Sequence, residues 1–147
     1  MLHIRVVVPE DLGALADLTK QLGYDTSLAT LRANILSYLQ DNERSLFVAV
    51  VENTVVGYIA TGVTQMFHQE KKHMRVVSLV VDRLHRGKGI GKRLLLAAED
   101  WAREHNCWMI DLTSSFRRET EGTHDFYLNQ GYRKDGSAYF RKLMDHS

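Results

Sequence analysis

A glycine-rich loop between a strand and a helix restricts the fold of this chain more than any other feature. The sequence RLHRGKGIGKRLL, residues 83–95, directly follows the apolar stretch RVVSLVVD. Its residue pattern predicts a strand over 75–82 and a helix from about 91 to 105. A glycine turn that enters a helix presents backbone N–H groups at the positive end of the helix dipole. The loop therefore predicts an anion site, and most simply a site for a diphosphate.

The spacing of the glycines does not fit two familiar nucleotide-binding loops. A Walker A loop has a glycine five residues before the glycine of its Gly-Lys pair, and Arg86 stands there in this chain. A Rossmann fingerprint needs a glycine at position 92, which is a lysine. The alternative without a ligand is a flexible turn with a solvated basic face.

The other segments predict a mixed sheet with helices on its faces. Strands are predicted over 3–8, 45–52, 55–67 and 107–113, and a short helix near 122–129. Gly23 is predicted to end a first helix and Ser27 to cap a second. A closing hairpin is predicted to turn at Asp135 and Gly136. The strands on either side of the glycine-loop helix should be parallel and the others antiparallel. The predicted class is α/β, with a mostly antiparallel mixed sheet and one βαβ unit.

Composition is that of an ordinary globular domain. The 147 residues are 44% hydrophobic and 25% charged, with a formal net charge of +1. That charge gives no general attraction to nucleic acid or to an anionic membrane. No apolar run approaches the roughly 20 residues of a membrane span, and the one cysteine, Cys107, fits a reducing compartment. We expect a single cytoplasmic domain over residues 1–147 that binds neither nucleic acid nor membrane.

The loop, Arg86-Gly87-Lys88-Gly89-Ile90-Gly91, has the pattern Arg-x-x-Gly-x-Gly. With the preceding SLVVDRLH, it resembles the coenzyme A motif of the GNAT superfamily of N-acetyltransferases. IRVVVPEDLGALADLTKQLGY resembles the first strand and helix of that family. DFYLNQGYRKDG resembles its C-terminal motif, in which a tyrosine precedes a Gly-aromatic pair. The order of the predicted elements also matches, so the resemblance covers nearly the whole chain.

The resemblance implies an acetyl-CoA-dependent N-acetyltransferase that acts on a primary amine by direct attack in a ternary complex. In the family, the loop amides bind the pyrophosphate of the coenzyme and the preceding strand end holds its pantetheine arm. The implied coenzyme-binding residues are Leu79, Val80, Val81, Arg86, Gly87, Lys88, Gly89, Ile90, Gly91 and Lys92. Acetyl-CoA is then a co-substrate, no metal is implied, and a homodimer is compatible because many members dimerise.

Tyr127 takes the place of the family's catalytic acid, which protonates the departing thiolate. The alternative is a structural tyrosine that lines the coenzyme channel. The base is unassigned, because many relatives carry a glutamate in the strand where this chain has Val77 and Ser78. Four residues could act as a base directly or through water, each against the alternative of a solvated or packing side chain. They are His68, Glu70, His73 and His124. The family's asparagine seven residues before the tyrosine is Thr120 here.

Cys107 raises the alternative of an acetyl-cysteine intermediate. Its neighbours Trp108, Met109 and Ile110 instead predict a buried strand position, where free cysteines are common. Trp101 and Trp108 are likewise predicted to be packing residues.

Two other functions use parts of the same pattern. A non-catalytic acyl-CoA-binding sensor or regulatory module would keep the glycine loop but would not need Tyr127. A nucleic-acid-binding protein could use the basic residues of 83–93, but this segment lacks interleaved aromatic residues. The acceptor side of the site is predicted to be formed by residues 25–45 and 67–74.

Overall fold

A computed structural model describes residues 1–113, 122–136 and 139–144 of the chain. The chain divides into two compact units, Met1–Thr113 and Ser114–Ser147. The strands of the first unit, in spatial order, are β1 (Leu2–Val6), β2 (Arg44–Val51), β3 (Thr54–Thr64), β4 (Lys72–Val81) and β5 (Cys107–Asp111). Its helices are α1 (Leu12–Leu22), α2 (Leu28–Gln40) and α3 (Ile90–Glu104).

The strand directions follow from the connections. Strands β1 to β4 pair antiparallel with their neighbours, whereas β4 and β5, joined through α3, pair parallel. A crossover helix is the connection that parallel neighbours need. The predicted mixed sheet and its βαβ unit are therefore confirmed.

Each helix contributes an apolar stripe to the core. Leu15 and Leu18 of α1 pack in one buried cluster with Ile35 of α2 and strand residues such as Val48. The buried residues of α3 are Ile90, Leu94, Leu95, Ala98 and Ala102. Ile90, Leu94, Ala98 and Ala102 recur every four residues, and Leu95 lies beside them, so the five residues share one side of the helix. This stripe carries α3 onto the sheet and so positions the glycine loop at its N-terminus.

Local signals set the ends of α1 and α2. Gly23 ends α1 with a φ of 113°, a left-handed conformation that favours glycine. The Ser27 hydroxyl accepts a 3.1 Å hydrogen bond from the Thr30 N–H and caps α2 as predicted. The spacing of Leu28, Leu31, Ile35 and Leu39 predicts that these four residues lie on the inner side of α2. Leu28 and Leu39 are 58% and 42% exposed, so that prediction is wrong at both ends of the helix.

Strand β4 differs from the predicted strand over 75–82 at its start and in its middle. It begins at Lys72, because Lys72 already pairs with β5 and His73 with β3. Further along, its register against β3 shifts by one residue, which leaves Val77 in a β-bulge. The Val77 side chain is 52% exposed. The apolar run RVVSLVVD predicts a strand that is buried on both faces, and that prediction is wrong at Val77.

The second unit contains α4 (Thr123–Asn129), as predicted. Gly131, at a φ of 90°, reverses the chain after the helix, and the Tyr132 N–H returns to the Tyr127 carbonyl at 3.1 Å. Residues 132–136 and 139–144 are not in strand conformation, so the predicted hairpin at Asp135 and Gly136 is wrong for the described part of this segment. Residues 131–144 contain no Val, Ile or Thr, and an isolated two-stranded hairpin is only marginally stable. None of the helices described in either unit is long and apolar enough to cross a membrane.

Candidate functional site

The glycine loop leaves the end of β4 and turns into α3. Gly87 and Gly89 have φ values of 78° and 79°, in the left-handed region where glycine is strongly favoured. A Cβ added at either position would meet no heavy atom within 4 Å. The glycines are therefore required by the backbone turn, and their surface is open rather than packed against protein.

The start of α3 gives this open turn a positive character. The first helical hydrogen bond joins the Arg93 N–H to the Gly89 carbonyl at 3.1 Å. The N–H groups of residues 90–92 consequently have no acceptor within the helix. Lys88, Lys92 and Arg93 are exposed, and the first turn of α3 contains no acidic residue. Backbone donors, helix dipole and side-chain charge thus favour an anion at the same place.

Three of the predicted coenzyme-binding side chains are buried or hydrogen-bonded within the protein. Val80 and Ile90 are 4% and 3% exposed, so they can reach a ligand only through their backbone groups. The Arg86 Nε donates a 3.3 Å hydrogen bond to the Val81 carbonyl. This bond ties the first residue of the glycine motif back to the end of β4.

Strand β4 leaves β5 before it reaches the loop. The parallel pairing ends with Arg75 opposite Asp111, where Arg75 Nε and Nη2 each donate to the Asp111 carboxylate at 2.9 Å. Strand β4 continues through Val81. Among the described residues, its β5-facing edge beyond Arg75 has no strand partner. Leu79, Val80 and Val81 lie on this separated length, directly before the loop.

A chain of hydrogen bonds connects α1 with the start of the loop. Gln21 Nε2 donates to Asp82 Oδ1 at 2.8 Å, and Gln21 Oε1 accepts from the Arg83 N–H at 2.9 Å. The other Asp82 oxygen lies 2.8 Å from His85 Nδ1. The bonds from Gln21 and His85 hold the pKa of the Asp82 carboxyl below its usual value. These residues could not be predicted from the sequence, because no local pattern links Gln21 to a residue 61 positions away.

The predicted base residues of the first unit are found in two different environments. His68 and Glu70 are exposed in the β3–β4 connection. His73 is 4% exposed within β4, with Nε2 3.7 Å from Asp111 Oδ2. The solvated loop position considered for His73 is therefore wrong, because β4 begins one residue before it.

Tyr127 belongs to α4 in the second unit and is half-buried. Its ring makes edge-to-face contacts with Phe126 and Tyr132, at centroid distances of 5.1 and 5.9 Å. The aromatic residue after the motif glycine thus packs on the tyrosine that precedes it. His124, one turn earlier, is also half-buried. Thr120 lies outside the described residues.

Cys107 opens β5 and is half-buried rather than buried as predicted. Burial raises the pKa of its thiol despite the opposing effect of Lys72, which disfavours the nucleophilic thiolate. Trp101 stacks on His105 with ring centroids 3.6 Å apart, a packing role as predicted. Trp108 is 50% exposed, so the packing prediction is wrong for that residue.

The mixed sheet, the separated strand and the glycine loop together define an α/β domain with an open glycine turn at the N-terminus of a helix. Residues 12–132 match the family model described as Acetyltransferase (GNAT) family. The chain therefore belongs to the GNAT acetyltransferase family, and it is an N-acetyltransferase.

Individual relatives are similar over most of the chain. An uncharacterized N-acetyltransferase of Bacillus subtilis (strain 168), YhdJ, is 26% identical over 147 residues, which cover 97% of this chain and 99% of the relative. Homo sapiens N-acetyltransferase 8B is 30% identical over 82% of the chain, which spans 54% of that protein's length. Aminoglycoside N-acetyltransferase AAC(6')-Iy, solved in complex with CoA, has a TM-score of 0.85 at 16% identity, covering 97% of this chain and 95% of that one. The similarity to this last protein is one of fold.

Proposed function

We propose that this protein transfers the acetyl group of acetyl-CoA to a primary amine by direct attack in a ternary complex. The glycine loop is the observation that carries the proposal. Gly87 and Gly89 adopt left-handed conformations directly before the N-terminus of α3, beside the exposed Lys88 and Lys92. Such a turn suits a diphosphate, because several backbone N–H groups converge on it without side-chain obstruction.

The coenzyme is proposed to follow the chain from the end of β4 into α3. Leu79, Val80 and Val81 would bond the amide groups of the pantetheine arm through their backbone, since this edge of β4 has no strand partner among the described residues. The pyrophosphate would lie on the loop that begins with Arg86 and ends with Lys92. Its proposed ligands are the residues Gly87, Lys88, Gly89, Ile90, Gly91 and Lys92, with Ile90 acting through its N–H group alone.

The reaction requires several proton and charge movements. The ammonium loses one proton, and the nitrogen of the resulting amine attacks the thioester carbon, whose carbonyl oxygen becomes an oxyanion. The nitrogen then loses a second proton. A backbone N–H near Leu79 or Val80 is the proposed oxyanion donor. Collapse of the intermediate breaks the C–S bond, and the departing thiolate takes a proton.

Tyr127 is proposed to give that proton. A phenol with a pKa of about 10 can protonate a thiolate whose conjugate acid has a pKa of about 8.5 only when the two groups are held in contact. The amine proton is proposed to leave without one dedicated base. The exposed bulge residue Val77 brings no carboxylate to the strand, and His73 is buried away from solvent.

A panel of amines tests the proposed reaction. The protein is mixed with acetyl-CoA and each amine, and release of the free coenzyme A thiol is followed over time. We expect release that rises and saturates with the concentration of at least one amine. Release at the same rate without amine, or tight acetyl-CoA binding with no amine-dependent release, contradicts the proposal.

A further inference from the structure

We infer that Gln21 is a positioning residue for the coenzyme loop. From the penultimate position of α1, its side-chain amide would hold residues 82–85 in the conformation that presents the glycine loop to the ligand. The inference rests on the proposed function, which gives that loop its coenzyme. Gln21 itself is not proposed to touch the coenzyme.

Both the nitrogen and the oxygen of the Gln21 side-chain amide make hydrogen bonds. The nitrogen donates to the Asp82 side chain at 2.8 Å and more weakly to Asp17 at 3.4 Å. The oxygen accepts from the backbone N–H of Arg83, the residue after Asp82, at 2.9 Å. Of the two shorter bonds, one reaches a side chain and the other reaches the main chain. A planar amide held at two consecutive residues fixes the orientation of this turn as well as its distance from α1.

Asp82 connects Gln21 to the residues that lead into the loop. Its backbone N–H donates to the Val56 carbonyl at 2.8 Å, which fixes it to β3, and its carbonyl accepts from the His85 N–H at 2.8 Å. Its second carboxylate oxygen contacts His85 Nδ1 at 2.8 Å. His85 is the residue immediately before Arg86, where the glycine motif begins. A continuous set of hydrogen bonds thus runs from α1 to His85, the residue before the motif.

The loop needs these hydrogen bonds because it makes few stabilising contacts of its own. Gly87 and Gly89 contribute no side chains, and a Cβ at either position would have no neighbour within 4 Å. Glycine also has the largest backbone freedom to lose on ordering. At the far end the loop is held by the buried side chain of Ile90. At the near end it is held by the hydrogen bonds of Gln21, Asp82 and His85 and by the bond from Arg86 to the Val81 carbonyl.

The same bonds are expected to add little to the stability of the ligand-free protein. Gln21 is half-buried and lines an open groove with Asp17, Lys20 and Arg83. Water can therefore replace its hydrogen bonds when the amide is removed. The loss would appear instead as disorder of the loop, which coenzyme binding must then reverse.

The first test replaces the amide by an apolar side chain of similar length. Gln21→Met is compared with the wild type and with Glu104→Met, an exposed residue at the opposite end of α3 from the loop. Calorimetric titration with acetyl-CoA should show a Kd about tenfold higher for Gln21→Met, and no change for Glu104→Met. The KM for acetyl-CoA should rise in parallel, while kcat at saturating coenzyme stays within about twofold of wild type.

The second test exchanges the two partners. Gln21→Glu places a carboxylate against Asp82 and should weaken acetyl-CoA binding at least as much as Gln21→Met. Adding Asp82→Asn again pairs one amide, now at residue 82, with one carboxylate, now at residue 21. The oxygen of the new amide can still bond His85. The double variant should recover to within about threefold of the wild-type Kd. A residue that only fills space would not show this recovery.

The outcomes separate the inference from the proposed function. A wild-type protein that does not bind acetyl-CoA contradicts the proposed function and removes the ligand of this loop. Wild-type binding with an unchanged Kd in Gln21→Met overturns the role of Gln21 alone. A double variant no better than Gln21→Glu overturns it too. The role of Gln21 is also overturned if the Tm of ligand-free Gln21→Met falls in proportion to its loss of acetyl-CoA binding.

Discussion

Gly57 of β3 and Val80 of β4 approach so closely that no side chain fits between them. A Cβ added to Gly57 would stand 2.9 Å from the Val80 carbonyl oxygen and 3.1 Å from Leu94 Cδ1 of α3. The contact with the oxygen is shorter than real Cβ atoms adopt, and a backbone carbonyl cannot turn aside as a flexible side chain can. The close approach therefore helps to fix the end of β4 that leads into the glycine loop.

Replacing this glycine should damage both the fold and the coenzyme site. Gly57→Ala forces β4 or α3 to move, and we expect a loss of about 1–3 kcal/mol in the free energy of unfolding. Acetyl-CoA binding should weaken as well, because Val80 lies in the proposed pantetheine-binding strand. Gly62→Ala in the same strand is the control, since its Cβ would meet only Arg44 Cγ at 3.8 Å. Urea denaturation with equal losses in both variants would contradict this account.

A second relationship makes stability depend on pH. Arg5 donates Nη1 and Nη2 hydrogen bonds to the two Asp11 oxygens at 2.8 and 2.9 Å, and the Val8 N–H donates to Asp11 at 2.9 Å. Burial raises the pKa of the Asp11 carboxyl, but these hydrogen bonds lower it further, so that the pKa lies below its usual value. The ionised carboxylate is the form that the fold stabilises.

The sign of the pH effect follows from that lowered pKa. The stabilisation is fully present above the unfolded pKa of about 4 and is lost as the pH falls through the folded value. Asp11→Asn should therefore cost about 1–3 kcal/mol at pH 7, and progressively less below pH of about 4. Denaturation curves at several pH values measure the difference. The exposed neighbour Glu10 supplies the control, Glu10→Gln, and a cost for Asp11→Asn that does not shrink on acidification would contradict the assignment.

The absence of a carboxylate at Val77 predicts that no single side chain is indispensable as a base. His68→Ala and Glu70→Ala remove exposed groups and should leave measurable turnover. His124→Ala should also retain activity. His73→Ala removes a buried ring, so its main effect should be on the free energy of unfolding. A loss of about three orders of magnitude in kcat in any one variant, with coenzyme binding intact, would show that a dedicated base exists.

Tyr127→Phe tests the proposed acid. Phenylalanine keeps the ring that contacts Phe126 and Tyr132 and removes only the hydroxyl, so the fold should survive. General acid catalysis is worth about 10² to 10⁴-fold, or roughly 3–5 kcal/mol of barrier. We expect kcat to fall by a factor in that range while the Kd for acetyl-CoA changes little. Near-normal kcat with weakened binding would instead assign Tyr127 to the coenzyme channel.

The parts of the structure that follow local patterns could be predicted. The apolar stripe of α3, the Gly23 stop and the Ser27 cap are each set by residues a few positions apart. The glycine motif is equally local, and its left-handed glycines follow from the same short sequence.

Features that depend on partners distant in sequence could not be predicted. The bulge at Val77 exists only in the register of β4 against β3, and the bonds of Gln21 to Asp82 span 61 positions. The closing hairpin was predicted from a turn signal alone. Its flanking residues lack the β-branched side chains that would favour strands.

Titration of acetyl-CoA into the wild type and Gly89→Glu tests whether the glycine loop binds the coenzyme. The Gly89→Glu substitution puts a side chain and a negative charge on a left-handed residue of the loop. Gly13→Glu is the control. It adds the same charge at the opposite end of α1 from Gln21, where a Cβ has open space. We expect the wild type and Gly13→Glu to bind acetyl-CoA and Gly89→Glu not to bind it. None of the three proteins should bind ATP or NAD. Equal binding of ATP, or acetyl-CoA binding unchanged in a folded Gly89→Glu variant, would contradict the proposal that the loop binds the coenzyme.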